Sequence, residues 1–341
     1  MDILPIGKVD PNLLKNIVFK YLGFPRKEVI VGPYVGVDAA VLNIENTLII
    51  FKIDPITGAY KHQGRLAVNI VSNDIACMGG KPIAITLTIL LPEKATPVMI
   101  KEIMEEADNT AKKLGISIVG GHTEVVEGMN RPPIVVASAI GIPIRGNKVY
   151  HPKMVKPGDM ILMTKTAAIE GTYIIFEEFK DKLKEVLDKD LIREIEGFAE
   201  KTTVIREAEL LAKNDLVHAM HDPTDGGLLE GLYEFGEAAD LDFIVYEDNI
   251  RIAKSTLKIA EIFHIDPLKL ISSGVLLAAI PRDKVNEALN VLSNAGIEAS
   301  VIGSFKEKGQ GRIIKRKNGL IEEINKPVID ELWNILIRKH F

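Results

Sequence analysis

The sequence predicts an α+β protein of two domains with mixed, largely antiparallel sheets and helices to one side of each. At 341 residues the chain exceeds what one compact core usually holds. β-rich runs and helical periodicities occur in both halves without strict alternation, which favours antiparallel pairing over a doubly wound parallel sheet. Turn formers concentrate between 143 and 158, in Pro143, Gly146, Asn147, Pro152 and Pro157-Gly158-Asp159. The division is therefore placed at residues 1–148 and 149–341.

In the first half, two β-rich runs at 39–44 and 48–53 flank a polar Glu45-Asn46 turn and read as a hairpin. Apolar residues at helical spacing follow over 62–79, stopped by Gly79-Gly80 with Pro82 beyond. A strand at 83–91, a helix at 97–114, a short strand at 116–119 and a long apolar run at 134–142 complete this half. In the second half a strand at 160–165 leads to helices at 169–179 and 182–213. A strand-like stretch at 217–220 then runs into a glycine-bearing turn. Strands at 242–246, 274–280 and 299–304 enclose a helix at 282–295. There is no short repeat.

Composition narrows the function classes. Hydrophobic residues make up 47% and charged residues 26%, an ordinary globular balance that predicts a chain folded nearly throughout. A net charge of -5 gives no broad pull toward nucleic acid, and no such partner is expected. The single cysteine, Cys77, cannot form an internal disulfide or a cysteine-based zinc site, and it reads as a small buried residue. The opening residues lack a basic segment followed by an apolar one, and no apolar run reaches the roughly 18 residues a bilayer requires. A cytoplasmic protein with no membrane partner is the expectation.

Three aspartates stand at telling places: Asp38 entering the hairpin, Asp54 leaving it and Asp74 inside the next helix. Unpaired carboxylates about 4 Å apart repel by roughly 4 kcal/mol per pair at an effective dielectric of 20, so a cluster of them calls for a cation. Hard oxygen donors beside a polyphosphate suit Mg²⁺. The alternative is that the three serve as caps and turn formers.

The surrounding motifs decide between these. Gly36-Val37-Asp38-Ala39-Ala40, Gly64-Arg65-Leu66-Ala67-Val68 through Asn73-Asp74, and Met78-Gly79-Gly80-Lys81-Pro82 occur in this order. Gly120-Gly121-His122-Thr123-Glu124, Met220-His221-Asp222-Pro223-Thr224-Asp225-Gly226-Gly227 and Ser272-Ser273-Gly274 follow. Together they resemble the aminoimidazole ribonucleotide synthetase superfamily, with the PurM-like fold, and within it the hydrogenase-maturation HypE branch. That resemblance implies a Mg-ATP site with Asp38, Asp54, Asp74 and Glu124 toward the metal, and Asn73, Gly120, Gly121, Thr123 and Asp222 toward the nucleotide. It also implies a homodimer joined through first-domain edge strands, and a possible maturation-protein partner.

Gly226 and Gly227 open a helical run, where backbone N–H groups and the helix dipole suit a phosphate or acyl phosphate. A tight turn capped by Asp225 is the alternative. His122, His221 and Asp225 are the candidate proton-transfer or phosphate-contacting side chains. Lys8 is placed over the nucleotide by the resemblance, or else is a solvated N-terminal charge.

The sequence ends Ile337-Arg338-Lys339-His340-Phe341, without the terminal cysteine that carries the carbamoyl group in HypE. Carriage of that group on its own C-terminus is not expected. Three readings follow. The first is an ATP-dependent enzyme that phosphorylates a carbonyl or amide oxygen of a small molecule. The second is a kinase of the thiamine-phosphate type, and the third a non-enzymatic nucleotide-binding assembly partner.

Overall fold

The computed structural model of the chain describes residues 4, 6–59 and 61–338; the terminal stretch 339–341 lies outside them. Two sheets organise the fold. The first half carries α1 (Pro11–Asn16), β1 (Val29–Val31), β2 (Ala40–Ile44), β3 (Thr47–Ile56), α2 (Gln63–Cys77), β4 (Gly80–Leu91), α3 (Pro97–Leu114), β5 (Ser117–Val125) and β6 (Ile134–Pro143). The six strands lie in the order β1-β2-β3-β6-β4-β5, with every pairing antiparallel except β4 with β5.

The hairpin closes as expected, because Glu45 and Asn46 both adopt positive φ, the geometry of a two-residue turn that matches strand twist. α3 has the expected bounds. The Thr96 side chain caps its start, and Gly115 ends it in the left-handed region. Along β3, Leu48, Ile50, Lys52, Asp54 and Ile56 face the helices, while Phe51 and Ile53 face outward and are exposed.

The second half continues with β7 (Met160–Thr164), α4 (Ile169–Glu178), α5 (Lys180–Val186), α6 (Lys189–Glu196), α7 (Ile205–Lys213), β8 (Ala219–His221), α8 (Gly227–Ala239) and β9 (Asp242–Tyr246). It closes with α9 (Lys254–Phe263), β10 (Leu277–Ile280), α10 (Val285–Asn294), β11 (Ala299–Lys306), β12 (Arg312–Lys315), β13 (Ile321–Glu323) and α11 (Glu331–Arg338). Its sheet runs β13-β12-β9-β11-β7-β10-β8, again antiparallel but for one pair, β12 with β9. No helix among the described residues is long and apolar enough to cross a membrane.

Two expectations change. The helix predicted over 182–213 is three α-helices: Asp188 caps a fresh start by accepting from the N–H groups of Asp190 and Leu191, and after a 3-10 turn at Gly197–Glu200 residues 201–204 leave helical geometry to meet α2. Residues 120–124, expected as a loop, continue strand β5, because β4 runs on past a bulge at Ile85/Thr86 and offers them a partner.

α2 is the hinge piece of the packing. Nearly every residue in it is buried, since one face covers the first sheet and the other meets α7 and β8. Ala76 and Cys77 belong to a core shared with Leu162, Met220 and Ala278 of the second half. Gly36 shows how closely the halves approach: a Cβ there would lie 2.1 Å from the Glu234 carbonyl oxygen on α8.

Candidate active site

A cleft of about 670 Å³ lies between the two sheets, and the acidic constellation lines it. Asp54 and Lys52 reach it from one face of β3, Asp74 from α2, and Asp38 from the turn before β2. From the other half come His221 and Asp222 at the end of β8, and Glu234 from α8. Lys8 enters from the leader, so it is no free surface charge.

The carboxylates are not unpaired, which corrects the charge argument made from sequence. Lys52 Nζ sits 3.2 Å from Asp74 Oδ1 and 3.4 Å from Asp54 Oδ2. Burial alone lowers a lysine pKa, but Asp74, Asp54, Asp38 and Asp222 outweigh it and hold Lys52 charged. On the other side His221 Nδ1 donates to Asp38 Oδ1 at 2.6 Å, and its Nε2 is 3.4 Å from Glu234 Oε2 without a hydrogen bond. Burial opposes the imidazolium; Asp38 and Glu234 overcome it and raise His221 to about 10. Glu234 is pushed up by burial, yet Lys8 at 2.5 Å and His221 bring it down to about 2.

Negative charge remains in excess. Burial, then neighbouring carboxylates, push Asp74 well above the usual carboxylate range, and burial with Asp38 pushes Asp222 to about 8. Asp38 Oδ2, Asp74 Oδ2 and Asp222 Oδ2 are buried with no hydrogen-bond partner. Donor atoms of Asp38, Asp222 and Cys77 lie within 4.8 Å of one another, with the Cys77 thiol 3.5 Å from Asp222 Oδ1. Orphaned oxygens in an acidic cleft fit a hard divalent cation.

The other residues singled out from sequence fare differently. Asn73 is a strut: its side chain donates to the Thr202 carbonyl at 3.0 Å and accepts from Val204 N–H at 2.9 Å, and it is fully buried away from the cleft lining. Gly226 and Gly227 adopt positive φ, but neither lines the cleft. The Gly226 N–H meets the Asp330 carboxylate at 2.6 Å, that of Gly227 meets the Thr224 carbonyl, and a Cβ on Gly227 would strike the Leu268 and Leu270 carbonyls. Close packing therefore explains these glycines. Asp225 does line the cleft, accepting from Trp333 Nε1–H at 3.1 Å and from Lys8 N–H at 3.2 Å.

Gly120, Gly121, His122, Thr123 and Glu124 lie on β5 at the far edge of the first sheet, two strands beyond the neighbour of β3. At about 4.8 Å per strand that separates them from Asp54 by roughly 14 Å. Within one chain Glu124 does not join the aspartates; it meets His122 Nε2 at 3.1 Å instead.

The cleft residues given no role from the sequence include Lys52, Glu170, Glu234, Ser273 and Trp333. Lys52 had a signal, since it shares a strand face with Asp54 and follows the apolar Leu48 and Ile50 on that face. Glu170 in the first turn of α4 and Glu234 within α8 look like ordinary helix acids.

Comparison with known proteins agrees with this architecture. Residues 36–143 match the N-terminal domain of AIR synthase related proteins, and residues 156–316 match the C-terminal domain. The chain is 28% identical over 325 residues to a putative hydrogenase expression/formation protein of Methanocaldococcus jannaschii, covering 91% of each. It is 27% identical over 250 residues to the carbamoyl dehydratase HypE of Cupriavidus necator (72% of this chain, 68% of that one). It is 26% identical over 263 residues to the thiamine-monophosphate kinase of Pyrococcus horikoshii (75% and 74%). Among solved structures, the HypE–HypF complex aligns with a TM-score of 0.74 at 22% identity, covering 92% of this chain and 99% of that one. HypE in complex with ATP aligns at 0.71 and 20% identity, covering 96% and 97%. With both domains matched in order and the fold shared end to end, the chain belongs to the AIR synthase-related family and has its two-domain PurM-like fold.

Proposed function

We propose that this protein is an ATP-dependent enzyme that phosphorylates a carbonyl or amide oxygen of a small molecule, in the manner of HypE-like hydrogenase or metallocentre maturation. The single observation that carries the reading is the set of orphaned, buried carboxylate oxygens of Asp38, Asp74 and Asp222 on the wall of a cleft between the two halves. In this reading residues 1–148 are the nucleotide-binding domain and 149–341 complete the cleft.

Asp38, Asp54, Asp74 and Asp222 would hold Mg²⁺, which when bound supplies charge neutralisation for the phosphates. The chain's own groups do the rest. Lys52 and Lys8 place fixed positive charge beside the polyphosphate. His221, kept protonated by Asp38 and Glu234, serves as a third cation rather than as a base at neutral pH. The acceptor oxygen attacks the γ-phosphorus, the bond to the bridging oxygen breaks and ADP leaves; dehydration then expels the transferred group as inorganic phosphate.

Asp74→Asn tests the reading, because it keeps the shape and removes a charge. Mg-ATP affinity is expected to drop at least about tenfold, roughly 1.4 kcal/mol, with stability of the empty protein level or higher. Calorimetry with and without Mg²⁺ measures both, and unchanged Mg-ATP binding sinks the assignment. The identity to a thiamine-monophosphate kinase supports a second reading in which the phosphorylated product is released. Mass analysis separates the two: a dehydrated product with free phosphate supports the first, an intact phosphate ester the second.

A cytoplasmic homodimer belongs to the same proposal, with a further maturation protein as partner, as the complex of HypE with HypF suggests by analogy. Phe51, Ile53, Ile140 and Ile142 make an exposed apolar outer face on the first sheet, and β5 offers it an open edge. Pairing there is the route by which Thr123 and Glu124 of a second copy would reach a nucleotide. Light scattering is expected to give twice the chain mass at micromolar concentration; a monomer removes this claim.

A further inference from the structure

The cleft is electrically lopsided. Its cations Lys8, Lys52 and His221 all pair with Asp38, Asp54, Asp74 and Glu234. The wall formed by α4 and the turn before α8 has no such partner: among the described residues, no cation lies within ion-pair distance of Glu170 or Asp225, which both line the cleft. Arg131, which also lines the cleft, is exposed and donates to the Thr57 carbonyl at 2.8 Å.

Glu170 is the informative member. It is 3% exposed, lines the cleft, and its Oε2 has no hydrogen-bond partner. The Ser273 hydroxyl on the same wall is fully buried, makes no hydrogen bond of normal geometry, and favours the charged form of Glu170. Asp225 accepts from the neutral N–H donors of Trp333 and Lys8.

Trp333 gives this wall an aromatic surface. Its indole is wedged between two glycines: a Cβ on Gly7 would lie 2.9 Å from Nε1, and one on Gly58 would lie 3.1 Å from the far ring edge. The ring is thus fixed in the cleft by packing and by its bond to Asp225. An anionic group placed here would face carboxylates without a cation. A nitrogen cation would meet two carboxylates and a π surface.

We propose that the acceptor bound in this cleft carries a positively charged nitrogen group, an ammonium or amidinium, held by the Glu170 and Asp225 carboxylates beside the Trp333 indole. This rests on the enzymatic reading above, and it names the class of acceptor.

Trp333 is the only tryptophan of the chain, so intrinsic fluorescence reports on the site directly. The probes are benzamidinium and benzamide, alike in shape and different in charge, titrated into the full chain without nucleotide. Benzamidinium is expected to change Trp333 emission saturably and to bind at least about tenfold more tightly than benzamide. Glu170→Gln and, separately, Asp225→Asn are each expected to cut that preference to below about threefold with benzamide binding little changed. Equal binding of the two probes by the native protein overturns the proposal without needing a variant, as does a preference that survives both substitutions. Because no ATP is present, the outcomes stay separable. Mg-ATP binding without cation preference defeats only the acceptor class; cation preference without Mg-ATP binding defeats only the phosphoryl-transfer reading.

Discussion

Lys52→Met is expected to destabilise the empty protein by about 3–5 kcal/mol at pH 8, the usual cost of removing one partner from a buried ion pair. Among the described residues Lys52 is the one cation within ion-pair distance of both Asp54 and Asp74, and it also offsets Asp38 and Asp222 at longer range. Without it these carboxylates retain only His221 and Lys8 nearby. Asp74 and Asp222, already pushed up by burial, then rise further above their unfolded values, so the stability they contribute is present at low pH and is lost as pH rises through the folded values. The penalty should accordingly shrink at pH 5.5. Added Mg²⁺ should restore more stability to the variant than to the native protein, because a divalent ion replaces the missing charge. Urea unfolding at the two pH values, with and without Mg²⁺, measures this. A variant as stable as the native chain at pH 8 removes Lys52 as the internal counter-cation.

Glu170→Gln is expected to stabilise the protein at pH 8 by up to about 3 kcal/mol and to be nearly neutral at pH 4. Burial pushes the Glu170 carboxyl from 4.5 up to about 7; Ser273 acts against that shift, and Asp225 adds to it. A group whose folded pKa is raised stabilises fully below its unfolded value and loses that contribution as pH climbs to the folded one. The difference between variant and native should therefore open between pH 4.5 and 7 and level off above. Gln keeps the shape but brings an amide in need of partners, which makes the figure an upper bound. Thermal unfolding across pH 4 to 8 decides: a gap that is constant with pH, or that closes as pH rises, places the Glu170 charge elsewhere. The same substitution that stabilises the fold should weaken cation binding, the expected trade at a site kept for a ligand.

Where structure is dictated by neighbours in the chain, the sequence was sufficient. Thr96 and Gly115 bracket α3 at the expected residues, Glu45-Asn46 closes the hairpin, and the ordered glycine and aspartate motifs identify the family. Lys52 belonged to this class as well. Its placement two residues before Asp54 on an inward-facing strand is a local fact, and an inward lysine beside an inward aspartate asks for a pairing.

The long-range pairings were beyond that reach. Residues 120–124 have turn-like composition and became strand because β4 extends far enough to pair with them. The break in the helix predicted over 182–213 follows in part from Asn73, whose amide fixes the backbone at 202–204 from 129 residues away. His221 and Asp38 are 183 residues apart and 2.6 Å apart in space; Trp333 and Asp225 are 108 residues apart and share a hydrogen bond. The sequence by itself determined the family and those elements whose periodicity, caps and turn chemistry act within a few residues, and it picked out the candidate aspartates. The tertiary structure alone decided which of those aspartates has a cation and which wall of the cleft lacks one, because charge compensation depends on distance in space, and burial multiplies its effect only once the two halves have closed.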